Sequence, residues 1–296
     1  MKSCSFETYD VFTDEKFAGN PLAVVMGAQG LTTDEMQTIT REFNLSETTF
    51  VLPPEDDANT ARVRIFTLGY EMPFAGHPTV GTAIAIARAR SLSGDIRLEL
   101  NAGVFPVTVE TQGETGHATF ESPNPPKETG SAPSAAQIEA ALSLSPGSIE
   151  TGDRQPRSVG AGGVTFLYAE TSLANIASAR LDYAAFDRLG IDDAVGVYLF
   201  AKGGERTGSN WHARMFAPNA GIPEDPATGS AACSLPGQLA LSGMAGDGDH
   251  RWVVEQGFEM GRPSLIEVTA TIESGAVKKV LIGGRAILVQ RGELLL

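Results

Sequence analysis

The chain carries RIFTLGYEMPFAGHPTVGTA at residues 64–83 and RMFAPNAGIPEDPATGSAA at residues 214–232. Each stretch has the pattern of a strand, a Gly/Pro turn and the start of a helix made of small residues. In the simplest alignment, Pro78 of the first copy matches Pro226 of the second. The duplication predicts two related halves whose helix N-termini face one cleft. Because a helix N-terminus carries unpaired N–H groups and partial positive charge, such a cleft suits a carboxylate or a phosphate.

Length and composition are those of a globular protein with about two domains. The chain has 296 residues, of which 42% are hydrophobic and 20% are charged, both ordinary values for such proteins. The net charge of −14 argues against nucleic acid or an anionic membrane as a partner. The N-terminus has no apolar core of signal-peptide length, and no segment approaches the length of a membrane span, so we expect a cytoplasmic protein.

The cysteines and histidines do not predict a metal site. Two cysteines, Cys4 and Cys233, and four scattered histidines show none of the spacings that metal ligands adopt. We expect two buried free thiols rather than a disulfide, because cytosolic chains rarely keep disulfides.

Strands dominate both halves, and a Pro/Gly/Ser-rich segment, SPNPPKETGSAPS at residues 122–134, is the clearest linker. Each half has one helix that is small or apolar nearly all round, beginning near Pro78 and near Thr228, as expected of a buried helix. This pattern predicts an α+β fold with two pseudo-symmetric domains. The predicted domains are 1–120 and 121–284, with a closing strand at about 285–296 that returns to the first.

One glutamate is notable for its neighbours. Glu47 lies in FNLSETTFV, between Leu45 and Phe50, at the entry to a predicted strand. Apolar company makes a carboxylate costly to ionise and raises its pKa, which suits a general acid/base working near neutral pH. The alternative is a solvated glutamate at a strand edge, or a structural cap.

The first turn places a histidine before a helix. Pro78 is expected to hold His77 out of helical geometry, so that His77 faces the space before the helix as a donor or a proton relay. Gly81 is expected in the first helical turn, where the missing side chain lets a ligand reach the backbone. The alternative for His77 is a structural loop histidine.

Asp225 occupies the corresponding place in the second turn, immediately before Pro226. It is suited to receive an amino or hydroxyl group of a substrate, or to orient an acid/base partner. Gly229 and Ser230 follow, and they offer backbone N–H groups and a hydroxyl to an anion. The alternative for Asp225 is a helix N-cap.

Four motifs, in this order, resemble the PhzF (phenazine biosynthesis-like) family: FAGNPLAVV, NLSETTFV, EMPFAGHPTVGTA and EDPATGSAA. The resemblance extends from the first predicted strand to the closing strands. It implies the diaminopimelate epimerase-like fold, in which each of two domains is a curled sheet or barrel around a central helix and the active site lies in the cleft between them. It also implies a homodimer.

The resemblance further implies roles for individual residues. The implied catalytic residues are Glu47, His77 and Asp225, and the implied substrate-binding residues are Ser46, Gly76, Gly229 and Ser230. In the best-known family member, which isomerises trans-2,3-dihydro-3-hydroxyanthranilate, a carboxylate moves a proton between carbons without a cofactor. We therefore expect a cofactor-independent isomerase, without a metal, that acts on a small carboxylate.

Two alternatives to this function stay open. One is an epimerase or racemase of another small acid. Related epimerases use two facing cysteines, but Pro78 and Pro226 hold those places in the simplest alignment, so two-cysteine chemistry is not expected. The other is a non-catalytic ligand-binding protein, against which the joint presence of Glu47, His77 and Asp225 argues.

Overall fold

The computed structural model describes residues 3–161, 163–191 and 193–296, which form two compact units. Unit 1 comprises Met1–Glu121 and Gly283–Leu296, and unit 2 comprises Ser122–Ile282. The domain boundaries predicted from the sequence are 1–120 with about 285–296, and 121–284.

The elements of unit 1 are strands β1 (Ser3–Val11), β2 (Asn20–Val25), β3 (Glu47–Leu52), β4 (Ala61–Thr67), β5 (Glu71–Met72), β6 (Gly94–Leu100), β7 (Gly103–Gln112) and β8 (Thr115–Glu121), with helices α1 (Thr33–Phe43) and α2 (Gly76–Arg90). Those of unit 2 are strands β9 (Lys127–Glu128), β10 (Arg157–Ala161), β11 (Val164–Thr171), β12 (Val197–Lys202), β13 (Trp211–Ala217), β14 (Ile222–Asp225), β15 (Gly248–Gln256) and β16 (Ser264–Glu273), with helices α3 (Ala135–Ala141), α4 (Leu173–Ser178), α5 (Tyr183–Asp187) and α6 (Gly229–Leu241). Strand β17 (Ala276–Leu295) contributes residues 276–282 to unit 2 and 283–295 to unit 1.

Eight strands of unit 1 close into a barrel. The pairing runs β1–β2–β3–β4–β6–β7–β8–β17 and returns from β17 to β1. The β2–β3 and β4–β6 pairs are parallel. The closing strand, which the sequence predicts to return to the first half, pairs with β1 and β8.

Helix α2 lies against the barrel strands, and its residues from Gly76 to Ala87 are all buried. Gly81 is where the helix comes closest to the sheet, because a Cβ there would lie 2.7 Å from side-chain carbons of both Leu22 and Val11. Gly81 is the sixth helical residue, beyond the first turn. The prediction that it opens the backbone to a ligand is therefore wrong: its missing side chain serves packing.

Unit 2 repeats this arrangement. Its pairing runs β9–β10–β11–β12–β13–β15–β16, and its parallel pairs, β11–β12 and β13–β15, are separated by one antiparallel pair, as in unit 1. Helix α6 packs on β9, β10, β11 and β16, and ten of its thirteen residues are buried. The predicted α+β fold with two pseudo-symmetric domains is confirmed.

Candidate active site

Helix α2 begins at Gly76, with Ala75 as an extended N-cap, so His77 is the second helical residue. The prediction that Pro78 keeps His77 out of helical geometry is wrong. The first four N–H groups of a helix have no intrahelical partner, so proline in the first turn sacrifices no hydrogen bond. The first backbone bond of the helix runs from the N–H of Thr79 to the carbonyl of Ala75, at 3.3 Å.

Four polar side chains of unit 1 form a chain at this helix start. Ser46 donates its hydroxyl to Oδ1 of Asn20 at 3.3 Å. Nδ2 of Asn20 lies 3.5 Å from Nδ1 of His77, and Nε2 of His77 lies 3.5 Å from Oε2 of Glu47. Ser46 and Glu47 come from the start of β3, Asn20 is the first residue of β2, and His77 comes from α2.

This chain fixes the tautomer of the imidazole. An amide nitrogen only donates, so we assign Nδ1 of His77 as the acceptor from Asn20 and the ring proton to Nε2, which lies 3.5 Å from Oε2 of Glu47 without a hydrogen bond between them. Burial lowers the pKa of His77 to about 3. The neighbouring carboxylate favours the protonated ring, but His77 is only 5% exposed and desolvation dominates. His77 is therefore a neutral donor at physiological pH.

Glu47 has the surroundings of a proton-transfer group. Its side chain is 13% exposed, and the residues that follow it, Thr48, Thr49 and Phe50, are fully buried. A carboxylate and a neutral imidazole donor that lie side by side can remove a proton from a bound acid and stabilise the negative charge that develops.

In unit 2, the turn before α6 is held by a glutamine that the sequence analysis missed. Nε2 of Gln256 donates to the carbonyl of Asp225 at 2.7 Å and to the hydroxyl oxygen of Thr228 at 2.9 Å. The N–H of Thr228 donates to Oε1 of Gln256 at 3.1 Å. Gln256 is fully buried. Gln256 is the last residue of β15 and stands just before Gly257, which was the available signal for it.

Asp225 is not the N-cap of α6, because Thr228 occupies that position. Its Oδ2 accepts the hydroxyl of Thr228 at 2.5 Å, and the residue is half-buried. Gly229 and Ser230 are the first two residues of α6. Asp225, Gly229 and Ser230 thus lie together at one helix start of unit 2, as Ser46, Glu47, Gly76 and His77 do in unit 1.

The duplicated stretches share one internal bond pattern. In unit 1, Arg64 donates twice to Glu71, at 2.7 and 2.5 Å. In unit 2, Arg214 donates twice to Glu224, at 2.7 and 2.8 Å. Each guanidinium also lies over the ring of the phenylalanine two positions further on, 5.1 and 4.8 Å from the centroid. We call each pair of parallel hydrogen bonds, from Arg64 to Glu71 and from Arg214 to Glu224, an Arg–Glu fork. In each unit the fork fixes the hairpin that leads into the central helix.

The positions at which the two helices start correct the simplest alignment of the duplicated stretches. Pro78 lies inside α2, which begins at Gly76, whereas Pro226 lies before α6, which begins at Gly229. The match of Pro78 with Pro226 is wrong, and the argument against facing cysteines that used it falls with it. Both cysteines are buried free thiols, as predicted, and burial raises the pKa of Cys233 to about 11.

With the helix starts matched, His77 corresponds to Ser230. Asp225 then corresponds to Met72 rather than to His77. Met72 pairs with Ile65, the residue after Arg64, and Asp225 pairs with Met215, the residue after Arg214. Phe50 pairs with Arg64 and Leu199 pairs with Arg214. Three residues before each of them lie Glu47 and Gly196, which therefore correspond. A Cβ at Gly196 would overlap the carbonyl of Phe216, so that position of unit 2 has no room for a side chain.

A strand barrel around a buried helix, repeated once in the chain, defines the diaminopimelate epimerase-like fold. The sequence profile of the phenazine biosynthesis-like protein family (PhzC–PhzF) matches residues 9–292. The chain belongs to this family and is an isomerase.

Two relatives and one solved structure illustrate the similarity. The chain is 40% identical over 303 residues to an uncharacterized isomerase of Mesorhizobium japonicum, with 99% of each sequence covered. It is 37% identical over 286 residues to the trans-2,3-dihydro-3-hydroxyanthranilate isomerase of Pseudomonas aeruginosa, with 96% of each covered. A PhzF-family phenazine biosynthesis protein of Bacillus anthracis has a TM-score of 0.88 to this structure, at 26% identity over 100% of both chains.

Among the described residues, no helix is both long and apolar enough to cross a membrane.

Proposed function

We propose that the protein is a cofactor-independent isomerase of the trans-2,3-dihydro-3-hydroxyanthranilate isomerase type. In this proposal, Glu47 moves a proton between two carbons of a small carboxylic acid. The relative from Pseudomonas aeruginosa, 37% identical over nearly the whole chain, supports the substrate class. The observation that carries the proposal is the Glu47–His77 pair, 3.5 Å apart and largely buried, at the start of α2.

The proposed reaction balances without an outside reactant. The Glu47 carboxylate takes a proton from a carbon next to a conjugated system, and the electron pair left on that carbon moves into the system. The proton on the Glu47 carboxyl exchanges with water, and Glu47 then gives a proton to a second carbon of the same molecule. No electrons are gained or lost and no group leaves, so the product is an isomer of the substrate.

His77 stabilises the charge that appears between the two proton transfers. Because its Nδ1 accepts from Asn20, its Nε2–H is the group available to an anionic oxygen or carbon of the substrate. A neutral donor serves this better than an imidazolium, which would pair permanently with Glu47 and weaken it as a base. The low pKa of His77, set by burial, supports this role.

The remaining predicted residues are proposed to bind the substrate. Asp225, held by Thr228, receives an amino or hydroxyl group. The free N–H groups at the starts of the central helices, at Gly76, Gly229 and Ser230, bind a carboxylate or another polar group. Ser46 helps through Asn20.

We also propose a cytoplasmic homodimer whose partner is a small-molecule carboxylate rather than nucleic acid or a membrane. The net charge of −14 supports a locally built anion site over a broad cationic surface. Light scattering coupled to size-exclusion chromatography tests the dimer: a mass near twice 31.1 kDa is expected, and a mass near 31.1 kDa contradicts it.

The test of the function is proton NMR of trans-2,3-dihydro-3-hydroxyanthranilate in deuterated buffer with the wild-type protein, Glu47→Gln and Glu110→Gln. Glu110 is an exposed glutamate of the same unit, so Glu110→Gln is the matched control. We expect conversion with the wild type and the control, deuterium at the receiving carbon, and neither with Glu47→Gln.

Two other outcomes would replace the proposal. Deuterium at a stereocentre of an unrearranged acid indicates an epimerase or racemase. Conversion by Glu47→Gln at the wild-type rate refutes the role of Glu47.

A further inference from the structure

Unit 2 contains a buried histidine between two carboxylates. Nδ1 of His212 lies 3.0 Å from Oε2 of Glu255, and its Nε2 lies 3.0 Å from Oε1 of Glu259. The side chains of His212, Glu255 and Glu259 are 2%, 0% and 14% exposed. A ring with an acceptor at each nitrogen donates at both only when it carries two protons, so this geometry selects the imidazolium.

The charges around the ring agree with that state. Burial by itself lowers the pKa of His212, but the bonds and charges of Glu259 and Glu255 outweigh it and raise the pKa above the usual value. Other charged groups on the packed elements are Arg214 of β13, 4.0 Å from Glu259, and Arg206, which lies over Phe258. Phe258 packs edge-on against the imidazole at 5.5 Å.

The cluster is joined directly to the turn before α6. Glu255 precedes Gln256, the residue that bonds both Asp225 and Thr228. A Cβ at Gly257 would lie 2.5 Å from the carbonyl oxygen of Pro226, so the backbone leading to Glu259 rests on the turn itself. Arg214 links the cluster to Glu224, the neighbour of Asp225.

Unit 1 has a permanent cation at the equivalent place. Arg62 lies opposite Glu99 in the parallel β4–β6 register, as His212 lies opposite Glu255 in β13–β15. Glu99 accepts the N–H groups of Glu55 and Asp56, as Glu255 accepts those of Glu205 and Arg206. Arg62 forms its ion pair with Glu55 and acts on Glu99 through its charge, whereas His212 contacts Glu255 directly. Each loop-anchoring carboxylate therefore has a basic residue beside it, but only in unit 2 can that residue lose its charge near neutral pH.

We propose that His212 is a positioning residue: as an imidazolium between Glu255 and Glu259, it holds residues 225–229 in the conformation that receives substrate. Deprotonation leaves one carboxylate without its hydrogen bond and loosens the segment 255–259 that supports the turn. The consequence for turnover rests on the proposed function. The coupling between His212 and the turn does not.

The test is an NMR titration of the protein without substrate. The ring signals of His212, identified by their loss in His212→Gln, should titrate with a midpoint above about 6.5, the ordinary histidine value. The amide signals of Thr228 and Gly229 should move with the same midpoint in the wild type and lose that transition in His212→Gln. The amide of Gly76, at the matching helix start of unit 1, should not follow it.

Each outcome decides the proposal. If the Thr228 and Gly229 amides stay constant while His212 titrates, or show the same transition in His212→Gln, the proposal is overturned. If His212→Gln does not fold, the wild-type titration alone decides, because the four histidines can be distinguished by single replacement of the other three.

A second readout uses turnover. As pH rises through the His212 midpoint, we expect the KM of the wild type to rise while kcat changes less. In His212→Gln we expect KM to be independent of pH in that range. The absence of any turnover contradicts the proposed function and leaves the NMR result standing.

Discussion

The two units have the same strand order and the same Arg–Glu fork, yet they differ at the positions that bear on chemistry. Where unit 1 has Glu47, unit 2 has Gly196, and where unit 1 has His77, unit 2 has Ser230. Conversely, Asp225 of unit 2 replaces the thioether of Met72. Duplication therefore preserved the frame that presents a helix start and divided the reactive groups. We infer that the proton is transferred by a residue of unit 1, Glu47, and that unit 2 contributes Asp225 to substrate binding.

The two units also differ in the electrostatic surroundings of their buried histidines. In unit 1 the histidine at the helix start is buried and neutral, and its neighbours are an amide and a single carboxylate. In unit 2 the buried histidine behind the turn lies between two carboxylates, whose bonds and charges raise its pKa against the effect of burial. A neutral donor suits a reaction centre, and a salt-bridged cation suits a support, because a buried ionic cluster strongly resists the loss of one member.

The largest effect should come from Glu47→Gln. General acid/base catalysis contributes about a hundred- to ten-thousand-fold, so turnover should fall by about that factor, while the thermal midpoint stays near that of the wild type. Steady-state kinetics and calorimetry measure the two quantities. Equal losses in Glu47→Gln and in the exposed control Glu110→Gln would remove the distinction between reactive and surface carboxyls.

Asn20→Ala should lower turnover by less, on the order of ten- to a hundred-fold, matching the 1–3 kcal/mol cost of leaving buried polar groups unsatisfied. The cause is specific: without the Asn20 donor, the Nε2–H tautomer of His77 is no longer selected. Nitrogen-15 shifts of the His77 ring report the tautomer. A ring that keeps a single Nε2–H tautomer in Asn20→Ala would show that Asn20 does not orient it.

Gly196→Ala tests the part of the comparison that concerns packing. The added methyl group would overlap the carbonyl of Phe216, and such overpacking costs about 1–3 kcal/mol. Gly246→Ala in the same unit, where a Cβ meets nothing within 4 Å, is the control. Urea denaturation compares their free energies of unfolding. Equal values would mean that unit 2 has room for a side chain at Gly196, the position that corresponds to Glu47.

The pH dependences of stability have opposite signs in the two units. His77 has a folded pKa of about 3, below its unfolded value, so the unfolded chain binds the extra proton and stability falls as pH drops from about 6.5 toward 3. His212 has a raised pKa, so its contribution is complete below about 6.5 and is lost as pH rises through the folded pKa.

Each effect has a slope of at most about 1.4 kcal/mol per pH unit. Urea denaturation as a function of pH should show a weaker acid dependence in His77→Gln and a weaker alkaline dependence in His212→Gln. If both replacements weaken the same limb, one of the two protonation states is assigned wrongly.

Much of the fold follows from sequence patterns, because the signals are local. The two buried helices predicted near Pro78 and near Thr228 are α2, which begins at Gly76, and α6, which begins at Gly229. Strand β9 lies in the segment predicted as a linker. Short elements that pair with distant strands carry too little periodicity of their own to be detected.

The site divides in the same way. Glu47, Ser46, Gly76 and His77 are brought together as the motifs implied, because each motif spans one strand or one helix start. Asn20 and Gln256 were not assigned a role, since an amide shows its function only through the partners that tertiary packing supplies. The helical state of His77 was missed because proline was weighed by its average effect rather than by its place in the first turn.

The most direct test of the division between units is to measure kcat and the dissociation constant side by side for Glu47→Gln and Asp225→Asn, with the dissociation constant taken by calorimetry on the isomerised product. We predict that Glu47→Gln loses turnover and keeps the wild-type affinity, and that Asp225→Asn binds at least ten-fold more weakly. The reverse pattern, in which Glu47→Gln loses affinity and Asp225→Asn loses only turnover, would contradict the assignment of proton transfer to Glu47 and of substrate binding to Asp225.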